Sequence, residues 1–481
     1  LPMNPIPEIL ILLDSLNNMQ EYLKPMEPYF HQEQELMALI LINMKYLKVL
    51  PFLFIVINLN AQDVEMQSYT FGEGLKFVGE SGYNLKLTGY AQPMSELKTI
   101  NSEESNSSRY RMRRVRLRMD GQSSNERFKY RFQVDLSGVS EIGESDADPL
   151  LDAYVDYALT NRVSVKFGQR STYTDNRELF MNSNSLQLVE RSRLTSAFSS
   201  IREFGLFISG RFRAGRGSYV RPHFVLTNGD GKNVYSRDRG GLKIGGRVDY
   251  LPFGLFTNMG QFRQIDVMRE QVPKLVVGVH YSLNQGMSSR RGRKSGSIIY
   301  LNANDEESLP DYTKYGVDFL FKYKGFSALG EYIKSSAKVP TDITQRVRTN
   351  GNESPDFNGP DVDGNGDLND MINYVKGRMM LGSAYNIQMG YLFKNGFSVD
   401  SRYTHLIADE NSFLNNETFY NRPNYYTLGV TKLLGRNYGF KVQAAVTHVD
   451  GSLGINHDLD TDTPAIFEDE IIFRLITTIS F

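Results

Sequence analysis

Arg109-Tyr-Arg-Met-Arg-Arg-Val-Arg-Leu-Arg-Met119, RYRMRRVRLRM in one-letter code, is the stretch whose reading decides the fold. It packs six arginines into eleven residues of a chain that is otherwise close to neutral, with 54 basic against 55 acidic residues. Arg109, Arg111 and Arg113 alternate with Tyr110 and Met112; Arg114, Arg116 and Arg118 alternate with Val115, Leu117 and Met119. A period of two is the mark of a strand with one polar and one apolar face. The phase slips once, at Arg113-Arg114, as a β-bulge requires. Basic runs also serve as nucleic-acid patches, but such runs rarely alternate strictly with apolar residues.

The same dyad recurs along the chain. In Arg127–Leu136, Lys129, Arg131, Gln133 and Asp135 alternate with Phe128, Tyr130, Phe132, Val134 and Leu136. Further candidate strands are Leu85–Tyr90, Leu151–Tyr157, Arg162–Arg170, Glu203–Arg213, Tyr219–Leu226, Leu242–Tyr250, Leu255–Phe262 and Lys274–Leu283. Tyr312–Tyr323, Phe326–Lys334, Met380–Phe393, Phe397–Leu406, Tyr425–Leu433, Tyr438–Val449 and Glu470–Phe481 complete the set. The expectation is an all-β chain of 16 strands, with 18 as the alternative because Ser297–Leu301 reads either way. Tight turns at Thr160-Asn161, Lys324-Gly325, Asn395-Gly396 and Gly435-Arg436 alternate with long polar connections at 137–150, 171–200, 335–377, 407–424 and 450–469. Short periplasmic turns at one end and long extracellular loops at the other predict a transmembrane antiparallel β-barrel.

Charge then orients the arginines. Arg109 to Arg118 spans about 30 Å at ~3.3 Å per residue, enough to cross an apolar band of ~25 Å, and an arginine facing mid-bilayer lipid costs about 2–4 kcal/mol. The arginine face therefore points into the lumen, and mutual repulsion among its charges predicts that the lumen is wet.

Residues 44–61, MKYLKVLPFLFIVINLNA, have a short basic start, an apolar core and a small final residue, the pattern of a secretory signal peptide. Residues 1–43 are expected to be a non-native upstream extension, 62–80 a periplasmic N-terminal segment, and 81–481 the barrel. The chain has no cysteine, which excludes disulfides and thiol chemistry. His223, His280, His405, His448 and His457 are scattered without triad or metal spacing, so no enzyme is expected.

Two connections stand apart. Residues 170–200 mix apolar side chains with Arg177, Glu178, Glu190, Arg191 and Arg193; folding into the barrel as a constriction suits both kinds, and a latch between subunits is the competing reading. Asp361, Asp363, Asn365, Asp367 and Asn369, with Gly366 between them, have the spacing of a calcium loop, although Ile372 stands where a bidentate acid belongs and Asp370 would have to replace it.

In this order, FGEGLKF at 71–77, RRVRLRMDG at 113–121, YRFQVDLSG at 130–138, LLDAYVDY from Leu150, VKFGQR at 165–170 and the terminal Phe481 resemble the phosphate-selective porins of the O and P type, particularly versions from Bacteroidetes-like bacteria. That resemblance implies a 16-stranded barrel in the outer membrane of a Gram-negative bacterium, a homotrimer among outer-membrane lipid, inserted by the barrel-assembly machinery. It also implies diffusion of small anionic solutes, phosphate among them, and no nucleic-acid partner. The residues expected to attract anions in the pore are Arg109, Arg111, Arg113, Arg114, Arg116, Arg118, Lys129 and Arg131. A plugged barrel that docks a surface complex is the alternative, and an outer-membrane hydrolase a third reading without a visible catalytic set.

Overall fold

The computed structural model describes residues from Val64 to the C-terminus, apart from 68, 70–71, 101–106, 139–147, 233–237, 349–350, 359–368, 416–421, 436–438, 452, 455–464 and 467–468. The expected upstream extension and signal peptide, and Asp361, Asp363, Asn365 and Asp367 of the calcium motif, lie outside the described residues.

Sixteen long strands run in chain order: β1 Asn84–Ile100, β2 Ser107–Gln122, β3 Phe128–Asp135, β4 Leu150–Ala158, β5 Val163–Ser171, β6 Arg202–Gly210, β7 Tyr219–Thr227 and β8 Lys243–Leu251. The second half is β9 Lys274–Asn284, β10 Asp311–Tyr323, β11 Phe326–Lys338, β12 Gly382–Leu392, β13 Phe397–Ala408, β14 Asn424–Leu433, β15 Phe440–Val449 and β16 Glu470–Ser480. Each pairs antiparallel with the next, and β16 returns to β1 with Ile471 opposite Thr99 and Phe473 opposite Leu97. The barrel is closed, which leaves no sheet edge to face lipid. The last residue completes the seam: Phe481 and Gly89 exchange backbone hydrogen bonds of 3.0 and 3.3 Å. A Cβ on Gly89 would lie 2.4 Å from the Phe481 ring, so the glycine is what admits that ring against β1. Beneath it, Leu75–Gly79 pairs with the start of β1.

The period-two pattern sorts side chains in the sense opposite to a water-soluble protein. Tyr110 (78% exposed), Leu428 (68%), Phe167, Val279 and Val399 face outward, while Lys441, Asp400, Gln388 and Thr478 are buried within. An apolar exterior around a polar interior is what a bilayer selects. The slip in β2 is a bulge: Gln92 pairs with Arg114 and Pro93 with Met112, leaving Arg113 extra.

One sequence reading needs correction, and one left open is decided. Leu255–Phe262 is not a strand but contains a 3-10 turn, Thr257–Phe262, in which Asn258 and Met259 have φ of 47° and 55°. Its alternation comes from Leu255 and Phe256 packing against Met181, Leu251, Val276 and Leu320. Around Ser297–Leu301 the structure has Tyr300–Asn302, a short strand that pairs with Ile343–Val347 in a separate three-stranded sheet and adds nothing to the barrel. That sheet and helix α2, Met371–Gly377, close over a small apolar core of Ile298, Tyr300, Leu309, Ile343, Phe357 and Val375 at the long-loop end.

Candidate functional site

Residues 172–201, between β5 and β6, cross the interior of the barrel. A 3-10 turn at Arg177–Phe180 and helix α1, Arg193–Phe198, give the segment its shape; the Ser192 hydroxyl caps α1 by accepting from the Thr195 N–H. Their side chains reach opposite walls. Arg177 bonds Asp318 on β10 and Asp249 on β8, both at 2.7 Å. The Glu178 N–H donates to Glu331 on β11 at 2.7 Å, and Gln187 donates to Asp400 on β13 at 2.6 Å. Arg191 ties the segment to itself through the carbonyls of Glu178 and Met181. Arg193 lies over the Tyr425 ring, 5.8 Å from its centroid.

Against the arginine strand the segment presents Glu190. Its carboxylate accepts from Arg113 Nε, from Arg113 Nη2 at 3.1 Å and from Arg114 Nη2 at 3.0 Å, while Arg114 Nη1 donates to Gln92 at 2.9 Å. Arg116 donates to Asp135 on β3 at 2.8 Å and to Ser183 of the crossing segment at 3.1 Å. The bulge matters here, because it turns Arg113 and Arg114 inward together so that one carboxylate bridges both. Burial alone would raise the Glu190 carboxyl; the Arg113 and Arg114 guanidiniums outweigh it and hold the group well below the usual carboxylate range.

The expected water-lined wall is therefore wrong at its centre. Arg113, Arg114 and Arg116 are 0, 0 and 3% exposed. Their repulsion is relieved by paired acids rather than by water, which is what burial of charge demands. Above this tier, Arg111 is half-buried and the Arg474–Glu96 pair keeps 21 and 16% side-chain exposure. Below it, Arg118, Arg131 and the Asp120 they share keep 28, 28 and 25%. Lys129 and Arg109 are exposed at opposite ends of the wall. A dry tier thus separates two wetted ones.

A second inserted segment was not legible as such. Residues 252–273 join β8 to β9 at the end of the barrel that otherwise carries tight turns, and they fold inward from there. Gln264 accepts from the Gln187 N–H at 2.6 Å and from Gln388 at 3.1 Å, and donates to Glu178 at 3.2 Å. Lys322 on β10 donates to the carbonyls of Gly260 and Ile265, at 3.0 and 2.9 Å. The two inserts meet at Gln187 and Gln264. The only sequence signal was the length of this connection on the short-turn end.

Of the calcium motif, Asn369 accepts from the Phe357 N–H at 2.7 Å, and Asp370 caps α2 by accepting from Asn373 at 3.0 Å. Both oxygens are thus engaged in holding the loop; among the described residues no cluster of metal-ligating side chains occurs.

Similar barrels are found among solved structures. OmpT of Vibrio cholerae in its trimer form is 10% identical, with 83% of this chain and 99% of that one covered and a TM-score of 0.44. The outer membrane channel DcaP of Acinetobacter baumannii is 11% identical, with 84% and 99% covered and a TM-score of 0.44. A mutant porin of Rh. blastica is 11% identical, with 82% and 100% covered and a TM-score of 0.38. No curated protein matches the sequence. Residues 92–229, from β1 through the crossing segment to just beyond β7, match the family model described as phosphate-selective porin O and P, and the barrel built around them is porin-like.

Proposed function

We propose that this protein is a channel of the bacterial outer membrane, not an enzyme, through which small hydrophilic solutes diffuse with a preference for anions. The observation that carries the reading is the arginine tier on β2. There Arg111, Arg113 and Arg114, with Arg402 from β13 and Arg474 from β16, face Glu96, Glu178 and Glu190, five guanidiniums against three carboxylates among the described residues. Fixed positive charge raises the local anion concentration, and low-dielectric walls sharpen the effect. Arg109, Arg118, Lys129 and Arg131 extend the positive potential to both mouths. Phosphate is the solute favoured by the family match. A homotrimer, assembly by the barrel-assembly machinery and a Gram-negative host belong to the same reading. Calcium bound by the 361–369 loop is proposed from the spacing of its oxygens; protection of that loop from proteolysis by calcium, absent in chelator, is the result expected.

The two inserts favour a second reading, a plugged barrel that acts as a docking platform. Purified protein in planar bilayers separates the two. Steady conductance with a reversal potential on the anion side supports the channel. Bilayers that stay silent under every potential sink it and leave the plug.

A further inference from the structure

Outside the lumen, the loop structure at the long-loop end holds a cavity of about 440 Å³ lined by Arg290, Arg346, Arg348, Arg378, Tyr300 and Tyr374. Three separate segments supply the four arginines: the β9–β10 connection, the edge of the small sheet and the end of α2. Arg346 and Arg378 both donate to the Tyr374 hydroxyl and both lie over its ring, 4.7 and 4.9 Å from the centroid. Arg290 lies over Phe413 at 3.8 Å and donates to the Arg378 carbonyl at 3.4 Å. Asp356 is the one carboxylate at hand, 3.4 Å from Arg346 and 3.7 Å from Arg348; among the described residues neither Arg290 nor Arg378 has a carboxylate within ion-pair distance.

Among the described residues, four guanidiniums against one carboxylate is a strong local excess, brought together where the barrel wall does not require it. The Tyr300 hydroxyl supplies an independent sign. Its side chain is 2% exposed, lines the cavity, and has no hydrogen-bond partner among the described residues; Arg346 Nε is likewise unpaired. Buried polar groups are nearly always satisfied, so each exception calls for an explanation. Burial, then the nearby Arg378 guanidinium, lowers the Arg290 pKa, and a bound anion opposes both effects.

We propose that this cavity binds a sugar-sized phosphate monoester. Guanidiniums held on aromatic rings present paired donors that match phosphate oxygens. The volume falls within the range of roughly 300–1,000 Å³ typical of sites for small organic ligands. The backbone of Ile298, Ile299 and Val347 and the tyrosine rings accommodate an organic body, and the Tyr300 hydroxyl meets one of its hydroxyls. Such a group arrives either as a free sugar phosphate or as the phosphorylated glucosamine headgroup of a lipid.

Titration calorimetry on the purified full-length protein tests this with glucose 6-phosphate, inorganic phosphate and glucose, alongside vesicles containing a phosphorylated glucosamine lipid. Glucose 6-phosphate is expected to bind more tightly than inorganic phosphate or glucose. The double variant Arg290→Gln/Arg378→Gln weakens it by about tenfold or more. Tyr300→Phe weakens it by roughly three- to tenfold with unchanged thermal stability, since it removes an unpaired hydroxyl. Arg111→Gln, in the lumen, leaves this binding unchanged. Binding of the lipid vesicles alone, lost in the same pocket variants, upholds the site and assigns the lipid source. Binding of either probe that survives in the pocket variants, no binding of either, or, where glucose 6-phosphate does bind, its being held no better than inorganic phosphate overturns it.

Discussion

At Glu190, two guanidiniums from one strand share one carboxylate. Glu190→Gln removes the charge but keeps the shape, leaving Arg113 and Arg114 buried without the carboxylate they share. The loss is expected on the order of 2 kcal/mol, less than the ~3–5 of a fully buried pair because Glu190 keeps some solvent contact. Denaturant unfolding of the purified barrel measures it, and reversal potentials should move further toward anions. Because the folded-state pKa is depressed, the stabilisation is fully present above the ordinary carboxyl value of ~4.3 and is lost as pH falls through the folded value. Acidification should therefore loosen the crossing segment in the native protein, read as faster proteolysis between residues 172 and 201, and Glu190→Gln should reduce that pH dependence, leaving the part owed to Asp175 and its Lys314 pair. The arginines divide in the same way. Arg111→Glu changes a half-buried side chain, so folding should survive while anion preference falls. Arg114→Glu/Arg116→Glu sets new carboxylates against Glu190 and Asp135 in a dry tier, and heat-modifiable folded protein should be lost. Full assembly of that double variant would show that these arginines are not where the pairs place them.

Among the elements, the insert at 252–273 departs most from what alternation predicts. Replacing 256–270 by a short Asn-Gly turn should raise conductance, since the removed chain carries Gln264 and with it the contact to the crossing segment. The deletion also strips Lys322 of two acceptors, and a buried lysine without partners is costly. Pairing the deletion with Lys322→Met should restore folding yield. Unchanged single-channel current in the folded variant would mean that the insert does not obstruct the path. Alternation misled at Leu255–Phe262 because two apolar residues packed against a barrel wall look, in one dimension, like the start of a strand.

At the scale of the molecule, closure depends on the β16–β1 seam. Deleting Phe481 removes two backbone hydrogen bonds to Gly89 and the ring that packs there. Outer-membrane abundance and the fraction resisting unfolding in unheated detergent should both drop, with conductance per folded barrel little changed. Equal abundance in membrane fractions would show that closure does not need the terminal residue.

The barrel, its sixteen strands, the bulge in β2 and the inward sense of the arginines were determined by the sequence alone. Strand alternation has a period of two, and lipid tolerates charge on only one face, so each strand reports its own orientation locally. What fills the interior was decided only by the tertiary structure. Arg114 and Glu190 are 76 residues apart, and Gln187 and Asp400 are 213 apart. Alternation says which side chains point inward but is silent on whether water or another segment meets them. The wall read as wet is dry at its centre because residues 172–201 bring their acids to it. The outer arginine cavity had no sequence signature, since its four guanidiniums come from three segments that only the folded loops bring together.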